Sequence, residues 1–164
     1  MQYKLSKEKM SLKIGVADTT FARADMAKIA RQTIERTGQD VVLERYTVPG
    51  IKDLPVACKK LIEEKNCSAV IALGMPGKTS IDKQCAHEAS MGLIQVQLLT
   101  NTHVIEVFAH EDEAKNDKEL LEIAFERTRK HALNALELVK SPLALAKNAG
   151  GALRQGKENA KTLS

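Results

Sequence analysis

The sequence contains no tryptophan, and phenylalanine and tyrosine together bring its aromatic content to only 3%. Its core must therefore be aliphatic, and the stacked aromatics of a single-stranded nucleic-acid platform are missing. No run approaches the ~18 apolar residues of a membrane span. The opening, MQYKLSKEKMS, lacks the apolar segment of a secretory signal. The cysteines number three (Cys58, Cys67 and Cys85) and form no CxxC pair. That argues against a disulfide framework and fits a reducing cytoplasm, with buried free thiols as the expected state of all three.

What is present is ordinary for one folded domain: 164 residues, 43% hydrophobic and 28% charged. A chain this long buries roughly 68–70% of its unfolded surface, enough for a core without staples. The formal net charge is +4, but it sits at the ends. Four lysines (Lys4, Lys7, Lys9, Lys13) against Glu8 leave residues 1–13 at +3. Lys147, Arg154, Lys157 and Lys161 against Glu158 leave 147–164 at +3 as well, so the body carries −2. A nucleic-acid binder presents a basic face on its folded body, and none is expected here.

Short β-rich runs alternate with longer helical ones. Strands are expected at 12–17, 40–48, 68–74 and 103–109; 68–74 is apolar throughout, as for a strand covered on both faces. Helices are expected at 23–37, closed by Gly38; after Asp53, a plausible N-cap; at 82–100; at 117–139; and, weaker, at 142–149. The 82–100 helix is apolar most of the way round after its first turn, which implies burial on several sides and hence a subunit interface. The order βαβαβαβα implies a three-layer, flavodoxin-like α/β domain: a parallel sheet of about four strands with helices on both faces. Residues 1–10 are expected to form a disordered extension, 11–150 the single domain, and 151–164 a polar tail.

In such sheets ligands bind beyond the carboxyl ends of the strands. This selects Asp18-Thr19-Thr20-Phe21, the turn from Pro49-Gly50-Ile51 to Asp53, the loop Met75-Pro76-Gly77-Lys78, and Ala109-His110-Glu111. Gly77-Lys78-Thr79 ends like a phosphate-binding loop, but the first glycine of that pattern is replaced by Ala72 and Pro76 interrupts it. A nucleotide triphosphatase is not indicated. The third strand ends in Leu73-Gly74, without the acceptor aspartate of a receiver domain. Cys85-x-His87 does not face one ion on a helix, so no metal site is assigned.

Three stretches carry a resemblance. Val48-Pro49-Gly50-Ile51-Lys52-Asp53-Leu54-Pro55, Ala69-Val70-Ile71-Ala72-Leu73-Gly74 and Glu88-Ala89-Ser90-Met91-Gly92 resemble, in order, motifs of the lumazine synthases. The departures are as telling. Gly77, Thr79 and Ile81 stand where those enzymes have GxTxH, so the catalytic histidine is absent. Their phosphate-binding arginine falls on Leu120. An aromatic residue that their fourth strand offers to the neighbouring subunit is matched by Glu106.

The segments Asp18–Arg23, Gly74–Lys78, Cys85–Ser90, Glu106–Ala114 and Leu153–Gly156 are similar instead to the archaeal-type riboflavin synthases, over nearly the whole chain from Met10. This resemblance implies a lumazine synthase-like fold and a cytoplasmic transferase of riboflavin biosynthesis. It implies a homo-oligomer, pentamer or decamer, with sites between subunits. The reaction implied is a dismutation of two 6,7-dimethyl-8-ribityllumazine molecules to riboflavin and 5-amino-6-ribitylaminouracil. No cofactor is implied as required, with a divalent cation such as Mg2+ left open, and no nucleic acid or membrane partner. Phe21 is expected to stack on a ring. Asp18, Thr19, Thr20, Pro49, Gly50, Ile51, Asp53, Met75, Pro76 and Gly77 are expected to contact substrate, the amides near Ile51, Met75 and Gly77 included. Lys78, Glu106, His110 and Glu111 are the candidates for proton transfer or ribityl contacts. A lumazine synthase and a non-catalytic flavin or lumazine carrier remain the alternatives.

Overall fold

A computed structural model describes residues 11–154 and 158–163. The expected extension at 1–10 lies outside these, as do Gln155 and Gly156. Four strands, β1 (Leu12–Thr19), β2 (Val41–Val48), β3 (Ala69–Gly74) and β4 (Val104–Phe108), alternate with α1 (Met26–Glu35), α2 (Leu54–Glu63), α3 (Ser80–Thr100) and α4 (Asp117–Lys140). Short 3-10 turns occupy Ile51–Asp53 and Glu111–Glu113, and the last expected helix is a 3-10 segment, Pro142–Asn148.

The strands pair in parallel in the order β2-β1-β3-β4. The chain leaves β1 toward β2, then crosses back to β3 on the other side, so the direction reverses between β1 and β3. This is the geometry that opens a crevice at the carboxyl ends of the two central strands.

Helices α1 and α4 cover one face of the sheet, packing Met26, Ile34, Ala124 and Leu136 on Ile14, Val16, Ile71 and Leu73. Helices α2 and α3 cover the other, packing Leu54, Leu61, Ala89 and Leu93 on Ala17, Val70 and Ala72. All six residues of β3 are buried, and each large aliphatic side chain so placed contributes about 1.5–3 kcal/mol. The core is aliphatic except for Phe108, the one aromatic side chain among its buried described residues.

Helix boundaries follow their caps. Helix α1 begins at Met26 rather than 23 because the Asp25 side chain accepts the amide of Lys28 at 3.0 Å. Helix α3 begins at Ser80 because Thr79 and Asp82 form a reciprocal capping box. Asp53 stands at the N-cap of α2 but makes no side-chain cap hydrogen bond. The preceding 3-10 turn already brings its backbone to φ −90°, ψ −12°, and its carboxylate is left for other work. At its other end α1 stops at Glu35 with Arg36 as its C-cap, short of the expected residue 37, and Gly38 lies in the turn beyond at φ +66°. The described part of the C-terminal segment folds back on itself: the Ala160 amide donates to the Ala152 carbonyl and the Arg154 amide to Asn159 Oδ1, both at 3.0 Å.

Candidate active site

Three turns meet over the crevice. The first follows β1. Asp18 is 6% exposed and its carboxylate accepts from Arg45 Nη2 at 2.6 Å, Arg45 Nε at 3.3 Å and Thr47 Oγ1 at 2.6 Å. These bonds anchor the turn from below. Thr19 is buried as well, and its hydroxyl accepts the amide of Ala22 at 3.2 Å. The turn so formed projects Phe21 outward, 64% exposed.

Thr20 joins the first turn to the second, its amide donating to the Val48 carbonyl at 2.9 Å and its hydroxyl to the Pro49 carbonyl at 3.3 Å. The second turn runs from Gly50 through the 3-10 segment Ile51–Asp53. Prolines 49 and 55 stiffen it on both sides. Lys52, on its exposed side, forms an ion pair with Glu88 of α3 at 2.7 Å. Glu88 also accepts from Gln84 Nε2 at 3.1 Å. Lys52 holds the Glu88 carboxyl below its usual range, and Glu88 holds the ammonium of Lys52 above its own.

The third turn, Met75-Pro76-Gly77, is buried. The Asp82 carboxylate lies against Gly77, where a β-carbon would overlap it. The same carboxylate accepts from the Thr79 amide at 3.0 Å and the Thr79 hydroxyl at 2.5 Å.

Between these turns lies a pocket of about 240 Å³, lined by Phe21, Gly50–Asp53, Pro76, Gly77, Asp82 and Cys85. Its walls are mostly apolar, with Asp53 and Asp82 as acidic groups and Lys52 as the basic one. Six of the expected contact residues are thus brought together: Phe21, Gly50, Ile51, Asp53, Pro76 and Gly77. Met75 instead turns its side chain into the α1/α4 core, and Asp18, Thr19 and Thr20 shape the turn beneath Phe21. The sequence gives Lys52 and Asp82 no role of their own, and no pocket role to Cys85. Cys85 was expected to be a buried thiol, yet it is only partly buried and faces the pocket. Cys58 and Cys67 are buried, which pushes their thiols up to about 12 and about 11.

The four candidates for proton transfer lie off this pocket. Lys78 and Glu111 line a polar recess of about 150 Å³ together with Arg23. Arg23 is held there by Glu111 at 3.2 Å and Asp117 at 2.7 Å. His110 packs edge-on to Phe108, ring centres 6.4 Å apart. Its turn is fixed by Glu113, which accepts the His110 amide at 2.9 Å and pairs with both terminal nitrogens of Arg127 at 2.8 and 2.5 Å. Arg127 also donates to the Phe108 carbonyl at 2.5 Å. Glu106, half-buried on the edge strand β4, shares the strand face of Val104 and Phe108. Leu120 is 4% exposed in the α1/α4 core, so that position presents no charge to a ligand. Among the described residues, no group of three or more His, Cys, Asp or Glu side chains is placed to hold a metal ion. No helix among them is long and apolar enough to cross a membrane.

Comparison with known proteins gives a consistent picture. The sequence profile of the family described as 6,7-dimethyl-8-ribityllumazine synthase matches residues 11–142. The riboflavin synthase of Methanothermobacter thermautotrophicus is 53% identical over 152 residues, covering 93% of this chain and 99% of that protein. The riboflavin synthase of Archaeoglobus fulgidus is 52% identical, covering 88% of this chain and 94% of its own length. A 6,7-dimethyl-8-ribityllumazine synthase of Burkholderia cenocepacia is 28% identical, covering 88% and 86%.

Proposed function

The chain belongs to the 6,7-dimethyl-8-ribityllumazine synthase family, and we infer from its archaeal members that its own activity is that of a riboflavin synthase. It is a transferase that moves a four-carbon unit between two 6,7-dimethyl-8-ribityllumazine molecules, leaving riboflavin and 5-amino-6-ribitylaminouracil. The observation that carries this is the contrast in identity: 53% to a riboflavin synthase across nearly its full length, against 28% to a lumazine synthase. The site is in keeping with it. Leu120 is apolar and buried where a sugar-phosphate enzyme of this family would need a cation, and Ile81 stands exposed where it would need a histidine.

The chemistry asks the protein mainly for orientation. The substrate's 7-methyl group is acidic because its anion spreads into the heterocycle, so the substrate is its own electron sink and no resident cofactor is needed. Holding two such molecules face to face can be worth ~7–11 kcal/mol. Phe21, exposed over the pocket, stacks on one ring. The amides of the Ile51 and Gly77 turns, with the uncommitted carboxylate of Asp53, take ring polar atoms or ribityl hydroxyls. Pockets for ligands of this size run to ~300–1,000 Å³, so the 240 Å³ of one chain is small for two substrates. The remaining wall comes from a neighbouring copy in a homo-oligomer. Met91, Ile94, Leu98 and Leu99 form an exposed apolar stretch on α3 suited to such contacts. The free thiols fit a cytoplasmic enzyme.

The test is to incubate the purified protein with 6,7-dimethyl-8-ribityllumazine alone, in buffer containing a chelator, and follow riboflavin by its fluorescence. One riboflavin per two lumazines consumed is the expected result. Binding without turnover would make the protein a carrier, and turnover only from the pyrimidine plus a four-carbon sugar phosphate would make it a lumazine synthase.

A further inference from the structure

Of the residues lining the pocket, Lys52 is the only basic one. It sits on a turn braced by two prolines, and its ammonium is placed by a carboxylate from a different element, Glu88 of α3. Glu88 is itself oriented by Gln84, one helical turn earlier. The other charged groups of the pocket are both acidic, and Asp82 is already committed to Thr79. A ligand that becomes an anion after binding would gain from a cation at this wall, because the two acidic groups would otherwise oppose its charge.

We propose that Lys52 stabilises the deprotonated lumazine through the electronegative edge of its ring, and that Glu88 is the positioning residue that keeps the ammonium at the mouth of the pocket. The proposal rests on the riboflavin synthase reading and adds to it a catalytic group. The proton lost from the methyl group passes to a base or to buffer. The negative charge it leaves behind is delocalised onto ring nitrogen and oxygen, within reach of a cation on the pocket wall. The exposed Lys52–Glu88 pair is held weakly in water, so the ammonium can turn to the ring while Glu88 limits how far it strays.

The deprotonated lumazine absorbs differently from the neutral molecule, so its ionisation can be titrated on the protein. Wild type is expected to lower the apparent pKa of the bound methyl group relative to the free compound. Lys52→Met should raise it by about one unit, a tenfold loss of anion at fixed pH, with kcat falling about tenfold and KM little changed. Lys52→Arg should retain most of the shift, and Glu88→Gln should lose part of it. Lys59→Met, on the outer face of α2 and paired with Glu63, serves as the control and should behave as wild type. Lys52 and Glu88 are both exposed, so these variants should fold.

A Lys52→Met protein that binds lumazine and titrates it as wild type does would overturn the proposal while leaving the riboflavin synthase reading intact. So would a wild type that makes riboflavin yet leaves the methyl ionising as in free solution. Wild type that neither binds nor converts lumazine would overturn the reading itself.

Discussion

Gly77 and Asp82 are interlocked: the carboxylate of Asp82 occupies the space that a β-carbon at residue 77 would need. That carboxylate also closes the N-terminus of α3 through Thr79. Loop shape and helix cap are therefore one unit. Gly77→Ala should expel the carboxylate, costing about 1 kcal/mol for the lost cap and widening one wall of the pocket. The expected result is a lower melting temperature together with a raised KM for lumazine. An alanine variant with wild-type KM would show that the wall is not in contact with substrate.

The architecture could be read from the chain because its signals are local and agree with one another. The uninterrupted apolar run Ala69–Gly74 could only be a strand covered on both faces, and it is. The helical stripe of α4 is equally plain, with Ala124, Thr128, Ala132, Ala135 and Leu136 all buried, although Leu121, expected at its start, is exposed and the neighbouring Leu120 is buried instead. Helix starts were less legible. Asp25 and the Thr79/Asp82 box moved them by two or three residues, and a cap with aspartate at its third position is a fainter signal than one with glutamate. The turns were found by the strand-end rule, but the rule does not say which side chains face inward. Asp18 is expected from sequence to touch substrate, and the fold shows its carboxylate bonded to Arg45 and Thr47, a network the sequence does not announce. Cys85 looks like core and faces the pocket, because it lies one helical turn after Asp82. Lys52 went unremarked, since nothing in the sequence announces its pairing with Glu88, thirty-six residues away.

The anchoring role of Asp18 can be separated from a ligand role. Arg45→Met removes the bidentate partner and leaves a buried carboxylate with Thr47 alone, which should destabilise the protein by about 1–3 kcal/mol. Arg45 is partly exposed, so screening by water argues for the lower end. Urea midpoints for Arg45→Met and Asp18→Asn should both fall while KM moves little. A large KM change at unaltered stability would return Asp18 to the ligand set.

Acid should weaken the fold in two distinct steps. Burial and the nearby Arg127 charge hold the His131 imidazole below its usual range. Its folded pKa is thus lower than its unfolded one. Stability is full above ~6.5 and declines as pH falls, because the unfolded chain takes up the proton first. Glu113, paired with Arg127, is likewise held below the usual carboxylate range. Its contribution is full above ~4.3 and is lost as pH falls through the folded value. Urea midpoints followed from neutral to acid pH should show both declines. His131→Gln should flatten the upper one and Glu113→Gln the lower.

The exposed apolar stretch of α3 predicts self-association. Leu98 is 80% and Leu99 73% exposed, so Leu98→Glu should not disturb the core. It should break the assembly into smaller species by light scattering, with the circular dichroism of the folded chain retained and riboflavin formation lost. An assembly unchanged by this charge would place the interface elsewhere.

A site shared between subunits has a sharper signature still. Phe21 lies over the pocket of its own chain, whereas Glu106 sits on the free edge of the sheet at β4 and lines none of that pocket. If Glu106 completes the pocket of a neighbouring copy, Phe21→Ala and Glu106→Ala damage opposite halves of the same composite site. Each variant alone should be nearly inactive. Unfolding the two together and refolding them as mixed oligomers should restore riboflavin formation, because some junctions then join an intact Phe21 to an intact Glu106. Two residues serving the same half of the site could not be rescued in this way, since every copy would carry one lesion in the half it must supply. Activity that stays absent in the mixture, with mixed oligomers verified by mass, would therefore place both residues in one subunit's contribution. Full activity of Glu106→Ala by itself would remove that residue from the site.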